Sequence, residues 1–287
     1  MENDLDIAHL QGWIGRTETA SETVSDVLVQ RFRATLGQWL ADSGPDNVPL
    51  GLHWCLTQPV AAQTALGPDG HPARGGFLPP VPLPLRMWAG GEFTQTGPIG
   101  VGAYVTRRSE IRDVTLKQGR SGTMVLVSVA HDYFTDADTP QISEIQNLVY
   151  RNRPSPAPAT DPAPRQAETP RADTADAQVT LTPDPVLLFR YSAVTFNGHR
   201  IHYDLDYAKT AENYPGLVVH GPLQATLLMN LVTNRMGRTP AQFSYRGVAP
   251  LFCGHPVGLH HEKAKDGGTA WLCDNVGQTT MKVSYQM

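Results

Sequence analysis

Residues 189–222 combine side chains suited to proton transfer with a helix start suited to binding an oxygen atom. Asn197 lies five residues before His202, and His220-Gly221-Pro222 follows eighteen residues after His202. A histidine can take or give a proton near neutral pH, and an asparagine amide can hold a water or a substrate oxygen. The unpaired N–H groups at the start of a helix stabilise an oxygen that becomes negative. Together these groups are suited to adding water to an activated acyl chain, or to removing it.

A long apolar helix is predicted directly after this stretch. Pro222 suits the first position of a helix, Gly237 suits its end, and the residues between them carry a broad apolar stripe. Four strand-like segments follow, separated by turns: residues 243–248, 258–264, 269–274 and 279–285. An apolar helix followed by such strands predicts an α+β unit in which a sheet wraps round a buried helix.

The first 150 residues show a similar order of helix and strands. Thr19–Glu22 has the pattern of a capping box, and apolar residues at near-helical spacing from Val24 to Leu40 predict a helix after it. Residues 67–84 are rich in Gly and Pro and predict a loop. Strands are predicted at residues 100–115, 123–134 and 142–150, with a turn at residues 118–122 between the first two.

A proline-rich segment divides the chain. Six prolines fall between Pro154 and Pro170, a composition that favours extended backbone and cannot bury a core. We therefore predict an N-terminal domain over residues 1–150, a linker over residues 151–178 and a C-terminal domain over residues 179–287. The candidate catalytic residues all belong to the C-terminal domain, which begins with the short apolar segment Val186–Ala193.

The composition argues for a small-molecule partner. The 287 residues carry a net charge of −4, which argues against nucleic-acid binding, and they contain no apolar run long enough for a membrane span. The acidic N-terminus lacks the pattern of a signal peptide, and the three scattered cysteines are typical of reduced thiols in the cytoplasm. We expect no cofactor and no metal, because His199, His202 and Asp204 have no fourth ligand at a diagnostic spacing.

At the candidate residues the sequence resembles the MaoC-like (R)-specific enoyl-CoA hydratases, the hydratase-2 group of the hot-dog fold. The resemblance rests on Tyr191-Ser192-Ala193, on residues 197–204 and on Val219-His220-Gly221. Residues 82–91 resemble the N-terminal half of the double hot-dog members. These members include 3-hydroxyacyl-thioester dehydratases and the mesaconyl-C4-CoA and itaconyl-CoA hydratases that form citramalyl-CoA. The resemblance implies two antiparallel sheets, each wrapped round a central helix, with a non-catalytic N-terminal half that binds the acyl chain and CoA.

The resemblance also implies a role for each candidate residue. His202 matches the catalytic histidine of the family, and Gly221 matches the glycine whose N–H polarises the thioester carbonyl. The family places an aspartate five residues before the histidine, whereas this chain has Asn197. His199-Arg200 also replaces the usual Asn-Pro of the loop. We therefore expect His202 to act as the only base, while Asn197 orients the water.

Several alternatives stay open at the level of sequence. A free carboxylate on the acyl group needs a cation, for which Arg200, Arg86 and Arg246 are candidates, and His220 is a further candidate for substrate binding. The resemblance implies a hydro-lyase that reversibly hydrates an enoyl-CoA thioester, with mesaconyl-C4-CoA or itaconyl-CoA giving citramalyl-CoA as the expected reaction. The rival functions are a 3-hydroxyacyl-thioester dehydratase of fatty-acid synthesis, a hot-dog thioesterase and a non-enzymatic acyl-CoA-binding module. Neither the oligomeric state nor the physiological acyl group follows from the sequence, and a homodimer is compatible with it.

Overall fold

Ten antiparallel strands form one sheet in the computed structural model, which describes residues 5–119, 122–135, 138–153 and 177–287. The strands are β1 Thr17–Thr23, β2 Leu85–Gln95, β3 Tyr104–Gly119, β4 Gly122–Phe134, β5 Ile142–Arg151, β6 Val179–Leu181, β7 Gln242–Gly247, β8 Val257–Lys263, β9 Gly267–Cys273 and β10 Thr279–Gln286. The α-helices are α1 Ile7–Gln11, α2 Asp26–Leu36, α3 Pro185–Val194, α4 Leu205–Thr210 and α5 Gly221–Met236. None of the described helices is both long and apolar enough to cross a bilayer.

The sheet consists of two halves that meet at β2 and β7. Its strand order is β1-β3-β4-β5-β2-β7-β10-β9-β8-β6, so the first half of the chain supplies one side of the sheet and the second half supplies the other. The two predicted sheets are therefore joined edge to edge by antiparallel pairing of β2 with β7. The expected α+β class is confirmed, and the predicted strands of both halves are present within a few residues of the expected bounds.

Helix α5 is the buried centre of the second half. Every residue from Leu223 to Thr233 is buried. Gly237 ends the helix in the left-handed conformation with φ 70°, as its sequence position predicts. The apolar residues of α2 and α3 join the same core cluster as those of α5 and of strands from both halves. One core cluster thus contains residues of both predicted domains, whereas a second cluster contains residues of the first half alone.

A close approach of backbones explains Gly90-Gly91, next to the seam between the halves. A Cβ atom on Gly90 would lie 2.3 Å from the carbonyl oxygen of Tyr245, and one on Gly91 would lie 1.9 Å from that of Ile145. The pairing of β2 with β5 also shifts register between Trp88 and Gly90, which is the mark of a bulge. The two glycines therefore let β2 lie between β5 and β7 while the bulge redirects the Trp88 side chain.

One expectation about local structure needs correction, and two fall in part outside the described residues. Thr19–Glu22 is not a capping box but part of β1, the edge strand that pairs with β3; its alternating, β-branched pattern suits a half-buried strand. The residue that caps α2 is Ser25, whose hydroxyl accepts a hydrogen bond from the Leu28 N–H. Residues 154–176 of the predicted linker and residues 120–121 of the predicted turn are outside the described ranges.

Candidate active site

His202 ends a short 3-10 turn, Arg200–His202, that follows the loop after α3. Its Nδ1 atom lies 2.7 Å from the carbonyl oxygen of Val218. Because a carbonyl oxygen can only accept a hydrogen bond, Nδ1 carries the proton and Nε2 carries the lone pair. The side chain is buried, at 6% exposure. The structure thus holds His202 in the tautomer whose Nε2 can act as a base.

The surroundings of His202 keep its imidazole neutral. Burial lowers the pKa of His202 well below its usual value, and His220 and His199 lower it further. The ring of His220 stacks on that of His202, with centroids 3.6 Å apart and planes inclined by 19°. Burial also lowers the pKa of His220 to about 3, and its Nε2 lies 2.8 Å from Oγ of Ser192. The predicted base therefore stays unprotonated throughout the neutral range.

Asn197 is fixed by its neighbours in the loop. Its Oδ1 accepts a hydrogen bond of 2.9 Å from the His199 backbone N–H, so its amide Nδ2 is left to donate elsewhere. Its own backbone N–H donates to the carbonyl of Ser192 at 2.9 Å. The preceding residue, Phe196, has a positive φ of 48°, an unusual backbone state for an aromatic residue. This strained turn presents the Asn197 amide at a set orientation, with a donor available for a water.

Gly221 is the first residue of α5, where the positive end of the helix dipole lies. Within the described parts of the chain, no acceptor is found for its backbone N–H. A Cβ atom added to Gly221 would lie 2.6 Å from Cε3 of Trp88, so only glycine fits against this indole ring. The structure therefore places an available N–H at the helix start, beside the indole ring of Trp88.

A loop from the first half of the chain covers the candidate catalytic loop. The carbonyl of Asp69 accepts a hydrogen bond of 2.9 Å from the Arg200 N–H. Gly70, with φ +88°, approaches so closely that a Cβ atom there would lie 1.9 Å from the carbonyl oxygen of Gly198. The sequence reasoning identified residues 67–84 only as a loop, because no local pattern indicates that Asp69 and His71 meet the histidines of the second half. The two halves therefore build the site together.

This contact extends the histidine cluster into a row of neighbouring rings, of which His71 and His199 each have a carboxylate partner. The ring of His71 lies 4.3 Å from that of His199, whose own ring meets His202 edge-on at 5.4 Å. His71 Nδ1 lies 3.0 Å from an Asp69 carboxylate oxygen, and His199 Nε2 lies 3.2 Å from Glu212. Burial lowers the pKa of His71 to about 3. Burial opposes charge on Asp69, but the hydrogen bonds and charge of His71 outweigh it and lower that pKa.

Asp69, His71 and His199 also resemble a set of metal ligands, because one side-chain ligand atom from each lies within 4.8 Å of those of the other two. The Asp69–His71 and His199–Glu212 contacts already give these side chains hydrogen-bonding partners. We therefore interpret the group as one that positions the candidate catalytic loop.

The three arginine candidates differ in what they contact. Arg200 donates to the Asp204 carboxylate at 2.7 Å and lies over the Tyr207 ring, so its charge is already paired. Arg246 is exposed and lines a cavity of about 500 Å³ between β7, β9 and β10, together with the exposed side chains of Lys282 and Ser284. Arg86 is half-buried and acts electrostatically on Asp69 and His71. Among the described residues, Arg86 is thus the candidate that acts on a member of the histidine cluster, His71, and has no ion pair like that of Arg200 with Asp204.

In sequence, the chain matches one family profile and two relatives. Residues 51–253 match the sequence profile of the family "Hydroxyacyl-thioester dehydratase type 2". The chain is 43% identical over 249 residues to the mesaconyl-C(4)-CoA hydratase of Chloroflexus aurantiacus, which covers 85% of this chain and 86% of that protein. It is 40% identical over 94 residues, 32% of this chain and 30% of the relative, to the mitochondrial hydroxyacyl-thioester dehydratase type 2 of Schizosaccharomyces pombe.

Solved structures show the same fold at low sequence identity. HtdX of Mycobacterium tuberculosis superposes with a TM-score of 0.68 at 19% identity, covering 94% of this chain and 98% of that one. A second protein of M. tuberculosis, described as having a double hotdog fold, gives a TM-score of 0.55 at 15% identity, with 96% of both chains covered. The expected double hot-dog fold is thereby confirmed.

Proposed function

Because the chain belongs to the hydroxyacyl-thioester dehydratase type 2 family and is a hydro-lyase, we propose that it reversibly hydrates a short enoyl-CoA thioester bearing a free carboxylate. Mesaconyl-C4-CoA, which would give citramalyl-CoA, is the substrate that we favour, and itaconyl-CoA is the related candidate. The assignment of substrate rests on the relative from Chloroflexus, which shares most of its length with this chain. The observation that carries the chemistry is the bond from His202 Nδ1 to Val218, which leaves Nε2 as the base.

The first step is the attack of water on the β-carbon. The Asn197 amide Nδ2 donates to the water oxygen, because its Oδ1 is held by the His199 N–H. His202 Nε2 removes one proton from the water while the oxygen forms a bond to the β-carbon. The electron pair of the carbon–carbon double bond moves to the thioester oxygen, which becomes an enolate.

The second step returns the proton. The negative oxygen of the enolate is stabilised by the Gly221 N–H and by the positive end of α5. The imidazolium of His202 then gives its proton to the α-carbon, so the base is regenerated and one water has been added in total. Because burial disfavours the charged imidazole, the imidazolium is short-lived and gives up its proton readily.

Arg86 is the arginine best placed to bind the free carboxylate of the acyl group. Arg200 is paired with Asp204, and Arg246 lies on the outer face of the sheet. Arg86 acts on Asp69 and His71 at the seam where the loop from the first half meets the histidine cluster. We expect Arg86→Leu to raise the KM for a dicarboxylyl thioester about tenfold or more, with less effect on crotonyl-CoA, because a charge-assisted hydrogen bond is lost.

The decisive experiment is a panel of enoyl-CoA and 3-hydroxyacyl-CoA thioesters, with and without a terminal carboxylate, followed by absorbance and product mass. His202→Ala should lower turnover by at least about 100-fold, within the range for loss of a general base, while thermal unfolding stays cooperative. Retention of most activity in that variant would refute the role of His202. Equal kcat/KM values for crotonyl-CoA and mesaconyl-C4-CoA would refute the dicarboxylyl substrate and leave the hydratase chemistry standing.

The principal alternative is dehydration of a 3-hydroxyacyl thioester in fatty-acid synthesis, and the relative from S. pombe is named a mitochondrial hydroxyacyl-thioester dehydratase type 2. The same residues would run the reaction in the opposite direction, so chain length and carrier decide between the two. A thioesterase is disfavoured, because thioesterases of this fold usually place a carboxylate on the central helix and α5 contains neither Asp nor Glu. Release of free CoA from the thioesters of the panel would instead favour a thioesterase over a hydro-lyase.

A further inference from the structure

Three aromatic rings from both halves of the chain contact one another, and one of them, that of Trp88, lies beside Gly221. Trp88 of β2 stacks on Tyr245 of β7, with centroids 4.7 Å apart and planes only 8° from parallel. Trp54, from the 3-10 turn Leu52–Cys55, meets both rings edge-on, at 5.8 Å from Trp88 and 5.7 Å from Tyr245. We call these three residues the aromatic wall.

A buried carboxyl group fixes the aromatic wall from behind. Oε1 of Glu144 accepts a hydrogen bond of 2.9 Å from Nε1 of Trp54 and a second, short one from the hydroxyl of Tyr245. Glu144 is 2% exposed, and burial raises its pKa. One acceptor atom thus ties together the two rings that hold Trp88, which restricts how far the wall can move.

The space behind the wall is filled by rigid side chains. Phe93 and Phe243 are completely buried, and Tyr133 is 2% exposed. The imidazole of His53 stacks on Phe93 at 4.9 Å and fills the gap next to Glu144. A long acyl chain that continued past Trp88 would have to displace these groups, and close-packed aromatic cores resist such displacement.

We propose that Trp88, held by Trp54, Tyr245 and Glu144, is the stop that limits the acyl group to short chains, since the size and shape of a pocket decide which acyl groups it accepts. This inference rests on the proposed function in one respect only, namely that the thioester carbonyl binds at the Gly221 N–H. Trp88 is then the side chain in contact with the residue that holds the carbonyl. It deepens the proposed function by naming the residues that exclude long fatty acyl thioesters.

Binding of saturated thioesters tests the stop without requiring turnover. Butyryl-CoA and decanoyl-CoA are titrated calorimetrically into the wild-type protein and into Trp88→Leu and Trp54→Leu. Each methylene buried in an open pocket would strengthen binding, so a protein without a stop should prefer decanoyl-CoA. We expect the wild-type protein to bind decanoyl-CoA about tenfold or more weakly than butyryl-CoA, and each variant to narrow that ratio by about tenfold.

The chain offers matched controls. Trp271→Leu makes the same change at a tryptophan that stacks on His260 and lines the outer cavity, so it should leave the ratio unchanged. Glu144→Leu should act like Trp54→Leu, whereas Glu144→Gln, which keeps an acceptor, should behave like the wild type. If Trp88→Leu does not fold, Trp88→Phe should shift the ratio in the same direction by a smaller factor.

Three results would overturn the proposal. They are a wild-type preference for decanoyl-CoA, an unchanged ratio in both folded tryptophan variants, and an equal weakening of both ligands, which would place Trp88 beside the CoA arm. Loss of the proposed function gives a different result. If the wild type discriminated by length but hydrated no enoyl thioester in the panel, the hydratase assignment would fail and the stop would stand.

Discussion

Lowering the pH should destabilise this protein strongly, because its buried histidines are neutral when folded. Burial lowers the pKa of His53, His131 and His220 to about 3 and that of His202 well below its usual value. In the unfolded chain each imidazole titrates near its ordinary pKa of about 6.5. Their contribution to stability is therefore complete above about pH 6.5 and is lost as the pH falls from there towards the folded pKa values.

The size of the effect follows from proton linkage. A histidine with a folded pKa of about 3 loses about 2 kcal/mol of stabilisation between pH 7 and pH 5, so His53, His131 and His220 together lose about 6 kcal/mol. The lowered pKa of His202 acts in the same direction. Even half of that sum is a large share of the about 5–15 kcal/mol that stabilises a typical protein. Urea unfolding followed by circular dichroism at pH 7, 6 and 5 measures the loss directly, provided that unfolding is a single transition.

One substitution isolates a single histidine in this experiment. His131 is distant in sequence from the candidate catalytic loop, and its Nδ1 lies 2.9 Å from the Ser109 hydroxyl oxygen. His131→Asn should reduce the loss between pH 7 and pH 5 by about 2 kcal/mol, whatever its effect on stability at pH 7. An unfolding midpoint that stays the same from pH 7 to pH 5 in the wild type would refute the reasoning. So would a His131→Asn variant whose free energy of unfolding falls with pH as steeply as that of the wild type.

Three further outcomes concern the site itself. Because the pKa of His202 is lowered well below its usual value, kcat/KM should be flat from pH 7.5 to about 6, and an acid limb near 6.5 in the pH profile would contradict the neutral, buried base. Asn197→Asp adds a negative charge to the loop that leads to His202, so the acid limb should move to higher pH, as the same pH profile of the variant can measure. Gly221→Ala should lower stability by about 1–3 kcal/mol in urea unfolding through its clash with Trp88, and additional Trp88→Leu should restore most of that loss; no recovery would place the strain elsewhere.

The parts of the fold with strong local signals could be predicted from the sequence. Pro222 and Gly237 bound α5 as expected, because proline and glycine act at helix ends through their own backbone preferences. Asp204 likewise caps α4, accepting from the Tyr207 N–H at 2.9 Å. Thr19–Glu22 misled the prediction, since a capping box and an alternating edge strand share the same residue types, and only pairing with β3 decides between them.

The candidate site was predictable only where its residues are neighbours in sequence. His202, Asn197 and Gly221 belong to one stretch, whereas His71 and Trp88 come from the other half of the chain and are brought to them by packing. Arg200 was a candidate for binding the substrate carboxylate, but the Asp204 carboxylate, four residues later, already pairs with its charge. Charge partners at helical spacing deserve to be considered before a ligand is assigned to an arginine.

The position of β2 has a consequence for how the chain acquires its structure. β2 ends at residue 95, but its two neighbours are β5, residues 142–151, and β7, residues 242–247. During synthesis both edges of β2 leave the ribosome without partners, and the second edge stays unpaired until nearly 250 residues have been made. Such long-range pairing slows folding and exposes an edge to aggregation. Slow translation or chaperone binding before residue 247 should therefore govern the yield of native protein, and severed halves produced separately should aggregate unless they are synthesised together.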